Sequence, residues 1–180
     1  GKEKELLEKL LDILIDLSVI HLHQQYISGC DTLMIFESWA GLVPKKKFKD
    51  ILTDPVNKII KKLKSLGVLA PIIVLPRGIN EKIIDYIDAV KMDIISVDYN
   101  IDIDWLIKNL KTDIILQGNI DPNKIEKGGK ELEAEVNRLL LSTKERKHIY
   151  CSGHGLLPST PIKNVERVIE IIKEKHVSYY

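Results

Sequence analysis

Apolar residues recur along this chain with two alternating periods. Between Lys2 and Ile27 they fall at helical spacing, with Leu6, Leu7, Leu10, Leu11, Leu14, Leu17 and Ile20 in register, and Gly29 stands where a helix-ending residue belongs. Five strand-length apolar runs follow, at 32–36, 71–75, 94–97, 113–116 and 148–151. Amphipathic segments separate them. Two open on strong helix-start signals, Asp54-Pro55 and Thr160-Pro161, where the first residue is expected to cap and the proline to occupy the first helical position. Strands alternating with helices predict an α/β fold with a parallel sheet and right-handed crossovers. The chain opens on a helix with no strand before it, and it offers five strands where a closed βα barrel needs eight. The pattern therefore reads either as the later part of a barrel or as a five-stranded doubly wound fold. No linker or low-complexity tract interrupts it, so a single domain without internal boundary is expected; Lys127-Gly128-Gly129-Lys130 reads as a local turn.

Composition narrows the function classes only at the edges. A net charge of +1 gives no global pull toward nucleic acid or a membrane surface. No apolar run is long enough to span a bilayer, the first nine residues are too charged for a secretory signal, and two cysteines are too few for a disulfide framework. A cytoplasmic protein without membrane or nucleic-acid partners is expected. The lysines at 45–49 and 58–64 lie on amphipathic segments without interleaved stacking aromatics and read as solvated helix faces.

Candidate chemistry lies in short polar segments, each placed just after an apolar run. They are Phe36-Glu37-Ser38-Trp39-Ala40-Gly41, Pro76-Arg77-Gly78, Asp98-Tyr99, Gln117-Gly118-Asn119-Ile120-Asp121-Pro122 and Ser152-Gly153-His154-Gly155. The opposite strand ends offer no comparable cluster. Active sites of parallel α/β proteins collect at the carboxyl ends of strands, so these segments predict one composite site, with glycines permitting close backbone approach and Ser, His, Arg and amide groups supplying hydrogen bonds. Read alone, Ser38 is better explained as a helix cap, Arg77 as a surface ion pair, and Asp121 before Pro122 as a cap; Asp98 reads as a group orienting its loop. His21 and His23, two apart on a helix, face different ways, and Cys30 and Cys151 sit at opposite strand ends, which argues against a disulfide.

Three of these segments carry a resemblance to a known family. Ile35-Phe36-Glu37-Ser38-Trp39-Ala40-Gly41, Gln117-Gly118-Asn119-Ile120-Asp121-Pro122 and Gly153-His154-Gly155-Leu156-Leu157-Pro158-Ser159-Thr160-Pro161, with the following Asn164-Val165, closely resemble uroporphyrinogen decarboxylase in content, order and spacing. The resemblance implies a parallel (β/α)8 TIM barrel of which residues 1–180 supply about the last five βα units. It implies a cofactor-free carboxy-lyase of haem and tetrapyrrole synthesis, converting the four acetate side chains of uroporphyrinogen III to the methyls of coproporphyrinogen III. It also implies a homodimer. Carried over by position, Ser38, Phe36 and His154 resemble substrate-binding residues, and Arg77 is a candidate for a substrate carboxylate. The family's arginine-rich loop, central aspartate and substrate tyrosine are expected upstream of Gly1, so no catalytic residue and no metal ligand are assigned within this chain, which is expected to be inactive alone. Two other readings stay open. Cys151 with His154 is half of a zinc site, as in a corrinoid-linked methyltransferase of the same superfamily, and a noncatalytic half-barrel that binds a partner is the third.

Overall fold

The structure, a computed structural model, describes residues 2–176. It opens on helix α1 (Lys2–Ile27), and Gly29 at φ 100° ends the helical run as its position in the sequence predicts. The strands are β1 (Leu33–Glu37), β2 (Ile72–Pro76), β3 (Ile94–Ser96), β4 (Ile115–Ile120) and β5 (His148–Ser152). They form one sheet in chain order, and β1–β2, β2–β3 and β4–β5 pair in parallel. Helices α2 (Asp54–Ser65), α3 (Ile83–Ala89), α4 (Ile103–Asn109), α5 (Pro122–Lys127), α6 (Gly129–Ser142) and α7 (Ile162–His176) alternate with them.

The chain divides into two compact units, Gly1–Ile95 and Ser96–Tyr180. In the first, β2 is buried along its whole length, and α2 buries Val56, Ile59, Ile60 and Leu63, a stripe at i, i+3, i+4 and i+7. Helix α1 packs on α2 through Ile15, Val19 and Leu22. Its opposite face is also apolar: Leu6, Leu10, Ile13, Leu17, Ile20 and Ile27 are all at least half exposed. In the second unit, α6 buries Leu132, Val136, Leu139 and Leu140, a stripe at i, i+4, i+7 and i+8, alongside Leu116 and Ile120 of β4 and Val168 and Ile171 of α7.

Three local expectations change. The apolar run at 113–116 suggested a strand ending at Leu116, but β4 continues to Ile120, so Gln117, Gly118 and Asn119 lie within the strand and not in a loop. Burial beside β5 and hydrogen bonding of the polar side chains outweigh the turn signal that Gly-Asn carries alone. Asp54 does not cap α2, because a π-helical turn at Lys49–Thr53 runs straight into it; the Asp54 carboxylate pairs with Lys49 instead. Nor does Thr160 cap α7: its hydroxyl is buried without a partner among the described residues. Asp121 behaves as expected, its carboxylate accepting the Asn123 N–H at 2.8 Å with Pro122 in the first turn of α5.

Candidate functional site

In the first unit, the candidate residues stand just past the carboxyl ends of β1 and β2. Two backbone bonds lace these ends together: the Arg77 N–H donates to the Glu37 carbonyl at 3.2 Å, and the Gly41 N–H donates to the Arg77 carbonyl at 2.9 Å. A Cβ on Gly41 would lie 2.5 Å from the Gly78 carbonyl oxygen, so this glycine serves approach of loop to loop, not of loop to ligand. The lacing brings Ser38 and Arg77 onto adjoining turns. Ser38 is exposed, and the helical turn after it, Ala40–Leu42, has Trp39 at its N-cap with no side-chain cap, so capping does not occupy the Ser38 hydroxyl. Phe36 is 63% exposed and Trp39 73%, and these apolar surfaces flank Ser38 in sequence. Arg77 is half-buried, and its guanidinium has no ion pair among the described residues. A guanidinium is a fork of N–H donors of the geometry that pairs with a carboxylate.

Successive strand residues point to opposite faces, so Glu37 turns away from Phe36. Burial pushes the Glu37 carboxyl up to about 7. Tyr86 of α3 is fully buried with no partner for its hydroxyl among the described residues, and burial together with the Glu37 charge raises its pKa. Phe48 meets the Tyr86 ring edge-on at 6.1 Å. A carboxyl group raised to about 7 next to Ser38 is a feature that sequence pattern did not expose, because the raising comes from burial, which only the fold creates. Tyr86 carries no sequence signal at all.

In the second unit, Asp98 follows β3, and its Oδ1 accepts the backbone and side-chain N–H groups of Asn100, each at 3.3 Å, which orients the loop as expected. Asn119 is 3% exposed and binds this same loop: its side-chain amide donates to the carbonyls of Asp98 at 3.1 Å and Ile101 at 2.7 Å. The amide is therefore a brace within the protein. Gly153 extends the β4–β5 ladder through its N–H to the Ile120 carbonyl at 2.8 Å. A Cβ on it would stand 2.3 Å from the Tyr99 backbone nitrogen, so only glycine permits this approach. His154, the next residue, is half-buried. Its Nδ1 accepts the Gly155 N–H at 2.6 Å, which leaves Nε2 as the N–H donor of the neutral ring. Cys151 is an exposed free thiol, and no group of three His, Cys, Asp or Glu residues converges on a metal-sized site among the described residues.

Within each unit the strand-end loops are locked by protein contacts, and Asp98 and Asn119 are spent on those contacts. The sequence profile of the uroporphyrinogen decarboxylase (URO-D) family matches residues 1–175. The chain belongs to that family. It is 35% identical over 179 residues to uroporphyrinogen decarboxylase from Orientia tsutsugamushi (strain Boryong), a match covering 99% of this chain and 52% of the relative. It is 33% identical over 164 residues to the uroporphyrinogen decarboxylase of Sphingopyxis alaskensis, covering 91% of this chain and 48% of that one. The chain thus spans about half the length of the curated relatives it matches, consistent with the C-terminal part of a uroporphyrinogen decarboxylase family protein. A methyltransferase from Methanosarcina mazei superposes with a TM-score of 0.81 at 20% identity, over 97% of this chain and 51% of that one. That likeness is one of fold. The α/β class is therefore that of five βα units of a (β/α)8 barrel.

Proposed function

We propose that this chain is the C-terminal part of a uroporphyrinogen decarboxylase, a cofactor-free carboxy-lyase that converts the four acetate side chains of uroporphyrinogen III to methyls. The observation that carries the reading is the family match over residues 1–175, with relatives of that name at about one-third identity. In the proposed reaction, protonation of a pyrrole ring makes a cationic electron sink beside the acetate. The bond from its methylene to the carboxyl carbon then breaks, carbon dioxide leaves, and the electron pair passes into the ring. Protonation of the methylene carbon and loss of the added ring proton restore the pyrrole with a methyl group.

Four residues here are assigned to substrate. Arg77 offers a half-buried guanidinium, without an ion pair among the described residues, to a carboxylate of the octa-acid, where a bidentate contact is strongest. Ser38 and the Nε2–H of His154 donate hydrogen bonds, and Phe36 supplies an apolar wall for a pyrrole. The groups that stabilise the pyrrole cation are assigned to segments outside this chain, within what is read as one barrel domain acting as a cytoplasmic homodimer. The test is anaerobic conversion of uroporphyrinogen III, with the products oxidised and separated by chromatography. The complete protein is expected to form coproporphyrinogen III and residues 1–180 alone little or none. A complete protein that leaves uroporphyrinogen unchanged refutes the reading, and full activity of residues 1–180 refutes the assignment of roles.

A further inference from the structure

His148 opens β5, at the far end of that strand from His154, and has no part in the substrate contacts assigned above. Its ring Nε2 lies 2.5 Å from the Gly118 carbonyl oxygen. A carbonyl only accepts, so Nε2 carries the proton and Nδ1 is bare. That Nδ1 is buried and has no partner among the described residues, and burial lowers the imidazole pKa below its ordinary 6.5, so the ring stays neutral and keeps this tautomer at neutral pH. A half-buried histidine whose Nδ1 is buried and unsatisfied among the described residues is a costly way to fill space.

What the ring holds is the first link of a short run of contacts, all within the second unit. The Gly118 carbonyl belongs to the peptide that carries Asn119. The Asn119 amide spends both of its hydrogens on the Asp98 and Ile101 carbonyls, at 3.1 and 2.7 Å, and so closes the loop containing Tyr99 and Asn100. The Tyr99 backbone is the surface against which Gly153 rests with no room for a Cβ, and His154 follows directly. A shift of the Gly118–Asn119 peptide therefore passes into the Asp98–Ile101 loop and from there into the backbone that aims the His154 ring.

We propose that His148 is a positioning residue of the substrate site, which by holding the Gly118 carbonyl sets, through Asn119 and the Asp98–Ile101 loop, where His154 presents its Nε2–H. The part of this that concerns substrate rests on the decarboxylase reading. The part that concerns geometry does not. Supporting side chains of this kind act by keeping a contact group within a fraction of an ångström of its working position.

The competing explanation is that His148 is only a packing residue. Its ring lies 4.8 Å from that of Tyr150, whose hydroxyl is 3.1 Å from the Thr143 hydroxyl. Three variants separate the two. His148→Leu removes the donor to Gly118, His148→Gln restores a donor of similar reach, and Thr143→Val loosens the Tyr150 side of the cluster without touching Gly118. Two-dimensional NMR of the 180-residue chain, with folding checked by circular dichroism, is expected to show the Tyr99 and Gly153 amides and the His154 ring displaced in His148→Leu. They should return in His148→Gln and stay in place in Thr143→Val. Resonances that do not move in His148→Leu, or that move as far in Thr143→Val, overturn the proposal. In the complete protein, His148→Leu is expected to raise KM for uroporphyrinogen about tenfold with kcat within about twofold, and His148→Gln to recover most of the loss. An unchanged KM in His148→Leu likewise overturns it. A wild-type protein with no decarboxylase activity refutes the function proposed above and leaves the NMR comparison to decide the positioning role.

Discussion

At the scale of single residues, the substrate assignments rest on side chains that the fold does not consume. Ser38 and His154 lie on loops, exposed and half-buried respectively, and neither supports the core. Ser38→Ala and His154→Ala in the complete protein are therefore expected to weaken substrate binding by about 1–2 kcal/mol each while leaving the melting temperature within a few degrees of wild type. Michaelis kinetics with calorimetry checks this, and an unchanged KM in either variant removes that residue from the site. Glu37 makes a prediction of opposite kind. Its folded pKa, about 7, lies above the ordinary 4.5, so the folded state holds a proton that the unfolded state has lost between these values. Stability from this group is present below about pH 4.5 and falls as pH rises toward 7. Glu37→Gln should accordingly gain stability over wild type at pH 8 and none at pH 4, and equal differences at both pH values in chemical denaturation would contradict the burial argument.

At the scale of elements, α1 is the anomaly. A helix with one packed face normally turns polar residues outward, but here Leu6, Leu10, Ile13, Leu17 and Ile20 are spaced alternately by four and three on the face opposite Ile15, Val19 and Leu22. An exposed apolar seam of this length drives association. The isolated chain is expected to self-associate with rising concentration, and Leu10→Gln with Leu17→Gln to suppress this without loss of helix content; a wild-type chain that sediments as a monomer at high concentration refutes the prediction. Caps matter on a smaller scale. Asp121→Ala removes the acceptor for the Asn123 N–H and is expected to cost about 1 kcal/mol in urea unfolding. The flanking ion pairs of α1 and α2, Lys58 with Asp12 and Lys62 with Asp16, are exposed and contribute little beside the buried apolar stripe.

At the scale of the whole molecule, the net charge is +1 and, among the described residues, no helix is long and apolar enough to cross a membrane. The proposed activity needs more than the strand-end loops provide, because a decarboxylation through a pyrrole cation requires charge stabilisation that no residue of this chain is assigned to supply. Adding the upstream half of the protein as a separate polypeptide is expected to restore conversion of uroporphyrinogen III by residues 1–180. Persistent inactivity of the mixture, with both halves shown to be folded, would place a requirement for continuity of the chain on the reaction.

The sequence alone determined the order and type of the elements, because apolar periodicity, the Gly29 stop and the Asp121-Pro122 start are local signals that depend on nothing distant in the chain. It also determined the family, through three motifs in order, and with it the identity of Ser38 and His154 as candidates. What it did not determine is which polar residues the protein keeps for itself. Gln117-Gly118-Asn119 reads as a loop, yet tertiary pairing with β5 extends the strand through it and converts Asn119 from a ligand-facing amide into a brace. The half-buried setting of Arg77, the raised Glu37 carboxyl and the bond from His148 to Gly118 likewise depend on which neighbours folding brings near and which water it removes. Those are properties of distance and burial, and no spacing along the chain encodes them.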